Sequence, residues 1–286
     1  MGGLGNQMYQ YAAGKALAVR LNKTLIIDPR PILAEAHKRQ YDLYIFNLEY
    51  ANFGTSYTLW LVRWISSVRL GRLFQVLNPS AWSYRIIRDK EMGFDTSLYE
   101  VSSTNLILHG YWQSYKYFED LRLRFLNEFT FKNEPNSKNK EVLNEIDESN
   151  SVAIHIRRGD YVNNSVANSL HGICSMEYYK NGVAFINQNV ENPNFFIFTD
   201  DPIWAKQNFK LVQSPIVVEH NLGNQDFEDL RLMSHCKHFI IANSSFSWWG
   251  AWLGTDKNKI VICPKKWFNT EDIPLTDRIP NAWIKI

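Results

Sequence analysis

The chain has little of what marks secreted, metal-binding or nucleic-acid-binding proteins. Three cysteines occur in 286 residues, Cys174, Cys236 and Cys263, none at metal-ligand spacing and each in or beside an apolar stretch. Reduced, buried thiols are therefore expected, as in a cytosolic protein. The formal charge is only +2 and the basic residues are scattered, which argues against a nucleic-acid partner. No stretch reaches the roughly 18 uninterrupted apolar residues of a membrane-spanning helix. Residues 57–77 come nearest, but Arg63, Arg69 and Arg72 interrupt them. With Trp60 and Trp64, that segment suits either an ordinary packed helix or one resting on a membrane surface. Met1 leads into glycines and a polar helix rather than an apolar leader. A cytoplasmic protein is expected, with peripheral contact to the inner membrane face as the alternative that residues 57–77 allow. There is no Gly-x-x-x-x-Gly-Lys-Ser/Thr loop, and the opening glycines lack the full dinucleotide fingerprint.

What is present is apolar and aromatic. Hydrophobic residues make up 45% of the chain, with 10 Trp, 14 Tyr and 17 Phe, enough for a sizeable core. The length suggests about two domains. A polar stretch at 132–140, with Pro135, Asn136 and Ser137, places the boundary between residues 1–138 and 139–286. The second half alternates strands (152–156, 195–199, 216–219, 238–242, 259–263) with helices (176–189, 203–209, 226–236, 246–253), the pattern of a doubly wound parallel sheet. The first half opens with a helix to about residue 21, with Met8, Tyr11, Ala12, Ala16 and Val19 as its buried face. Strands are expected at 24–28 and 105–110, followed by the clusters Tyr111-Trp112-Gln113 and Tyr115-Lys116-Tyr117-Phe118.

Residues 151–161, S-V-A-I-H-I-R-R-G-D-Y, are the centre of the chain. Their apolar run lacks alternation, as in a strand buried on both faces, and it ends in Arg157 and Arg158. Ligands of parallel sheets gather beyond the carboxyl ends of strands, and a guanidinium fork suits phosphate oxygens. Two readings stand: an anion site, or a solvated turn with an internal ion pair. His155 reads as a structural histidine or a site residue, and Asp160 as the nearest carboxylate for proton transfer or for orienting Arg157. Asp200 and Asp201 follow another strand, but an isolated Asp–Asp pair is a weak metal signal. Asn243, Ser244 and Ser245 follow a third strand and open a helix, where serine caps the backbone or seats an anion. Trp248 and Trp252, four apart, fit core packing better than a sugar platform. Gly250 is expected to let that helix approach the sheet. The opening Gly2–Gln7 places Asn6 at a helix N-terminus.

Three blocks carry a family resemblance: G-G-L-G-N-Q-M-Y-Q-Y-A from Gly2, H-I-R-R-G-D-Y from His155, and L-M-S-H-C-K-H-F-I-I-A-N-S-S-F-S-W-W-G-A-W-L from Leu232. F-T-D-D at Phe198 is a fourth, weaker match. In order and spacing they resemble the alpha-1,2-fucosyltransferases of glycosyltransferase family 11, which move L-fucose from GDP-fucose to the 2-hydroxyl of galactosides. The resemblance implies a GT-B-like α/β fold, two Rossmann-like domains facing across a cleft, with the acceptor mainly on residues 1–138 and the GDP-sugar on 139–286. It implies inverting transfer with GDP-fucose as co-substrate, no cofactor and no metal. By position, Arg157 would bind the diphosphate, with His155, Arg158, Asp200, Asn243, Ser244, Ser245 and Phe246 on the donor side. Gly3, Gly5, Asn6 and Gln7 would face them from the other domain, and Asp160 is the candidate base. Family members usually carry a short strand before the glycine loop, whereas this chain begins at the loop. A galactose-terminated glycan is the expected acceptor, with a lipid-linked one as the option that residues 57–77 would suit. Two rivals remain: a transferase using another nucleotide sugar, and a non-catalytic carbohydrate-binding protein using its tryptophans.

Overall fold

The computed structural model describes residues 2–29, 40–52, 84–89, 93–101, 105–159, 172–269 and 275–286. Asp160 and the membrane-surface candidate at 57–77 lie outside them.

The second half is built on a six-stranded, all-parallel sheet. In chain order its strands are β5 (Asn150–Ile156), β6 (Pro193–Thr199), β7 (Ile216–Val218), β8 (His238–Ile240), β9 (Val261–Cys263) and β10 (Ile284–Lys285), arranged 10-9-8-5-6-7. The chain winds outward through β6 and β7, then returns to the other side of β5 through β8. This is the doubly wound order of a dinucleotide-type sheet, and its switch point lies between β5 and β8. Sequence periodicity finds five of these strands. It misses β10, a two-residue edge strand too short to show alternation.

Both sheet faces are buried, and the period of two sorts the side chains. Val152, Ile154 and Ile156 of β5 join Phe195, Ile197, Ile240 and Ile262 on one face. Helix α4 (Met176–Asn189) covers that face with Tyr178, Tyr179, Val183 and Ile186, beside α5 (Pro202–Asn208). Ala153, Phe196, Phe198, Phe239, Val261 and Cys263 point to the opposite face. There α3 (Ser137–Asp147), α6 (Phe227–His235) and α7 (Ser245–Leu253) cover the sheet.

The first half contributes α1 (Leu4–Arg20), α2 (Arg122–Glu128) and two parallel strand pairs, β1 (Ile26–Ile27) with β2 (Ala51–Asn52) and β3 (Tyr84–Arg88) with β4 (Asn105–His109). The architecture is mixed α/β with the doubly wound parallel sheet expected for the second half, while the described residues of the first half form two separate strand pairs rather than a second continuous sheet. Helix α1 differs from its one-faced expectation. Tyr9, Ala13 and Leu17 are buried as well as Met8, Tyr11, Ala12 and Ala16, whereas Val19 is 40% exposed. The cause is enclosure from both halves. Tyr9 meets Trp248 at 4.8 Å, and Phe118 stacks on Trp249 at 5.3 Å, so one aromatic core crosses the boundary at 138/139.

Gly250 is also corrected. A Cβ there would lie 2.9 Å from Met233 Cε, so it admits α6 rather than the sheet. Trp248 and Trp252 are core residues, as expected, and Trp249 is buried with them. Among the described residues, no helix is long and apolar enough to cross a membrane.

Candidate functional site

The loops that leave β5, β6 and β8 meet at the switch point. Register pairs His155 with Phe198 and Ile156 with Thr199, which brings Arg157 level with Asp200. Their side chains form an ion pair at 3.0 Å, each about one quarter exposed. Asp200 also accepts backbone N–H bonds from Arg158 at 2.9 Å and Gly159 at 3.0 Å. Gly159 is needed for this grip, because a Cβ would sit 2.7 Å from Asp200 Oδ2. This ion pair is not internal to the Arg-Arg-Gly-Asp turn: it runs between two strand ends and aims the guanidinium. Asp201 is separate: it caps α5 by accepting from Trp204 N at 3.0 Å. The adjacent acids are thus a loop anchor and a helix cap.

His155 is 5% exposed on the face shared with Ala153, 5.9 Å from the ring of Phe246. Burial first, then the Arg157 charge, pushes its pKa down to about 4, against an opposing pull from Asp200. It is a neutral imidazole at physiological pH, and its buried Nδ1 has no hydrogen-bond partner among the described residues. Arg158 turns to the other face. Its guanidinium lies 3.8 Å over the Trp204 ring, with Nε 3.6 Å from Asp201.

Ser244 caps α7, its Oγ accepting from Phe246 N at 3.3 Å. Asn243 points back into the scaffold: its Nδ2 donates to Trp267 O at 3.2 Å and Gly172 O at 3.4 Å. Ser245 and Phe246 form the first turn of α7, and the first turn of α1 abuts them. A Cβ on Gly5 would lie 2.6 Å from Phe246 N, and Trp249 Nε1 donates to Gly5 O at 3.0 Å. Gly3 is the N-cap of α1, with no side chain to satisfy its free N–H groups. Neither α1 nor α7 has an acid in its first turn. Two helix N-termini and Arg157 thus gather with no acidic residue of either helix end to balance them, an arrangement suited to an anion. Asn6 accepts from Gln113 Nε2 at 2.5 Å. Gln7, expected in the cleft loop, is 1% exposed and turns inward, donating to Gln40 O at 2.8 Å and accepting from Asp42 N at 2.9 Å.

The profile of glycosyl transferase family 11 matches residues 62–286. The chain belongs to glycosyl transferase family 11. An Escherichia coli alpha-1,2-colitosyltransferase is 34% identical, over 100% of this chain and 96% of that protein. The O-antigen biosynthesis glycosyltransferase WbnK of Escherichia coli is 32% identical, over 93% of each. A cattle galactoside alpha-(1,2)-fucosyltransferase 2 is 23% identical, over 88% of this chain and 67% of that protein. Among solved structures, a GDP complex of an Arabidopsis thaliana FUT1 mutant aligns at 10% identity and TM-score 0.49, over 96% of this chain and 71% of that one.

In this family 11 glycosyltransferase, sequence reading missed the groups that brace the site. Tyr179 Oη donates to His155 O at 2.9 Å, and Tyr178 Oη to Ile241 O at 2.6 Å, so α4 pins the strands on both sides of the switch point. The adjacent tyrosines one turn into a helix were the available signal. A polar network also closes the carboxyl end of β7. Asn139 and Asn221 exchange amide hydrogen bonds at 2.9 and 2.8 Å, and Asn221 donates to Asp229 at 3.0 Å. Burial raises the Asp229 pKa to about 8, with Asp226 and Glu228 adding to it and the Asn221 bond opposing. A surface cavity of about 510 Å³ lined by Lys206, Phe209 and Val217 lies at the amino end of β7, away from the strand ends that form the site.

Proposed function

We propose that the chain transfers L-fucose from GDP-β-L-fucose to the 2-hydroxyl of a terminal galactoside, with inversion and without a metal. The observation that carries this reading is the meeting of Arg157 with two acid-free helix N-termini at the sheet's switch point. Departure of GDP places negative charge on the diphosphate while the sugar carbon becomes oxocarbenium-like. Donors already aimed at that charge stabilise the transition state, and one such donor contributes about 3 kcal/mol. Arg157 supplies a fork held in position by Asp200, and the first turns of α7 and α1 supply oriented N–H groups. His155, neutral, adds a hydrogen-bonding ring without a competing charge. Asp160 is assigned as the base that takes the acceptor proton. An Asp160→Asn variant retaining more than about a tenth of the rate leaves less than 1.4 kcal/mol at stake and removes that role.

The relative that transfers colitose in an alpha-1,2 linkage supports a second reading, in which the same site takes GDP-linked colitose. The O-antigen relative supports a polysaccharide acceptor. The proposed acceptor is lipid-linked, and the proposed enzyme works at the cytoplasmic membrane face. Failure to sediment with anionic liposomes would count against that membrane contact.

A thermal-shift panel of GDP, UDP, ADP and CMP tests the donor class, because a ligand that binds only the native state raises the melting temperature. Stabilisation by GDP alone is expected; equal stabilisation by UDP would sink the reading. Turnover of GDP-fucose against GDP-colitose then decides between the two sugars. Binding of a galactoside with no nucleotide effect would identify a non-catalytic carbohydrate-binding protein instead.

A further inference from the structure

The cluster Tyr111-Trp112-Gln113 is not used by the donor side, yet its loop is among the most constrained in the molecule. It leaves the carboxyl end of β4. Asp89, at the carboxyl end of β3, accepts backbone N–H bonds from Tyr111 at 3.2 Å and Trp112 at 2.8 Å. Trp112 holds a left-handed backbone, φ +56°, which is unfavourable for a bulky L residue. Its ring is 2% exposed and its indole Nε1 has no hydrogen-bond partner among the described residues. Two unfavourable features thus fall on one residue, and such strain gathers where position serves a ligand. The loop is secured further on: Ser114 Oγ donates to Asp277 O at 2.7 Å, and Lys116 pairs with Asp277 at 2.6 Å.

Gln113 is what this effort positions. Its side chain is 9% exposed, and Nε2 donates to Asn6 Oδ1 at 2.5 Å, which leaves Oε1 and the second amide hydrogen available. Asn6 directly follows Gly5, the residue pressed against Phe246 at the anion seat. A neutral carboxamide with a free donor and acceptor matches sugar hydroxyls, which also donate and accept, whereas a phosphate would use only its donor. Tyr111, half-buried in the same loop, adds an aromatic ring.

We propose that the loop at 110–114 is the acceptor subsite, with the Gln113 carboxamide, held by Asn6, hydrogen-bonding hydroxyls of the acceptor sugar beside the donor seat. This rests on the transferase reading above. A site built to hydrogen-bond a hydroxyl rejects an analogue lacking it far more strongly than an apolar pocket does, so Gln113 is a specificity residue.

The test measures KM for methyl β-D-galactoside with GDP-fucose, and separately the Kd for GDP, in wild type, Gln113→Ala and Gln113→Asn. The Asn variant keeps the amide but withdraws it by one methylene, so it tests reach in a chain that folds. A rise of at least tenfold in acceptor KM with GDP affinity within twofold of wild type is expected. Unchanged acceptor KM in both variants, or a parallel loss of GDP affinity, would overturn the inference while leaving the transferase reading intact. Wild type that binds no GDP would overturn the transferase reading and this inference with it.

Discussion

The loops after β5 and β4 are built alike and equipped differently. In each, a carboxylate at the end of the neighbouring parallel strand grips two consecutive backbone N–H groups: Asp200 holds Arg158 and Gly159, and Asp89 holds Tyr111 and Trp112. Both grips rely on a glycine at the closest approach, Gly159 against Asp200 and Gly110 against Asp89, but the β5 loop presents a guanidinium paired to the same acid. The grip on the β4 loop forces a tryptophan into a left-handed conformation and presents a neutral amide. On the proposed reading one device serves two chemistries: charge where a diphosphate would depart, and hydroxyl-matching polarity where a sugar would accept.

The largest test of this contrast is Arg157→Ala. Loss of a preorganised donor to developing charge predicts a fall in kcat of about 100- to 1,000-fold, read from initial rates with GDP-fucose. Arg157→Lys should recover only part of it, because an ammonium lacks the bidentate fork. Near-wild-type turnover in both would end the leaving-group role.

Asp200→Ala and Asp89→Ala probe the two grips directly. Each leaves a pair of N–H groups without their acceptor, at about 1–3 kcal/mol per group where water cannot replace it, measurable by urea unfolding. The kinetic constants should separate: GDP affinity falls in Asp200→Ala, and acceptor KM rises in Asp89→Ala. If both variants move the same constant, the two-sided reading fails. Gly5→Ala joins the sides, since its methyl would meet Phe246 N and Ser245 C at 2.6 Å. Parting α1 from α7 should cost about 1–3 kcal/mol of stability and weaken GDP binding.

The smallest effects are in pH. The unfolded chain binds more protons at His155 than the folded one between pH 6.5 and about 4. The stability it contributes is present above that window and is lost as pH falls through it. Asp229 works oppositely. Its carboxyl is protonated in the fold but ionised in the unfolded chain between about pH 4 and 8, so stability falls as pH rises across that range. Melting temperatures of Asp229→Asn against wild type should show a gain for the variant that is larger at pH 8 than at pH 5. A constant offset would show that Asp229 titrates normally.

Much of the C-terminal sheet could be read in advance because both its faces are buried. Runs such as Val152–Ile154 and Phe195–Phe198 are apolar throughout, and polar residues begin in the last positions of each strand. The first half offered no such contrast. Its described strands are two to five residues long, and α1 is enclosed on nearly all sides, which removes the amphipathic signal. Gln7 shows the same limit. A glutamine in a glycine-rich opening suggests a cleft, but the 40–42 segment folded back and took both ends of its amide.

The order of strands and helices from residue 150 onward, the arginines at a strand end and the helix opened by Ser244 were all determined by local residue chemistry. Apolar runs, turn residues and caps act over a few positions. Which strand end faces which was decided only in three dimensions. The return of β8 to the free side of β5 put Arg157 beside the α7 N-terminus, and the register with β6 brought Arg157 to Asp200, 43 positions on in sequence. The pressing of Gly5 onto Phe246, across about 240 residues of chain, belongs to that same level. Such contacts depend on how whole layers pack, which no local pattern of side chains encodes.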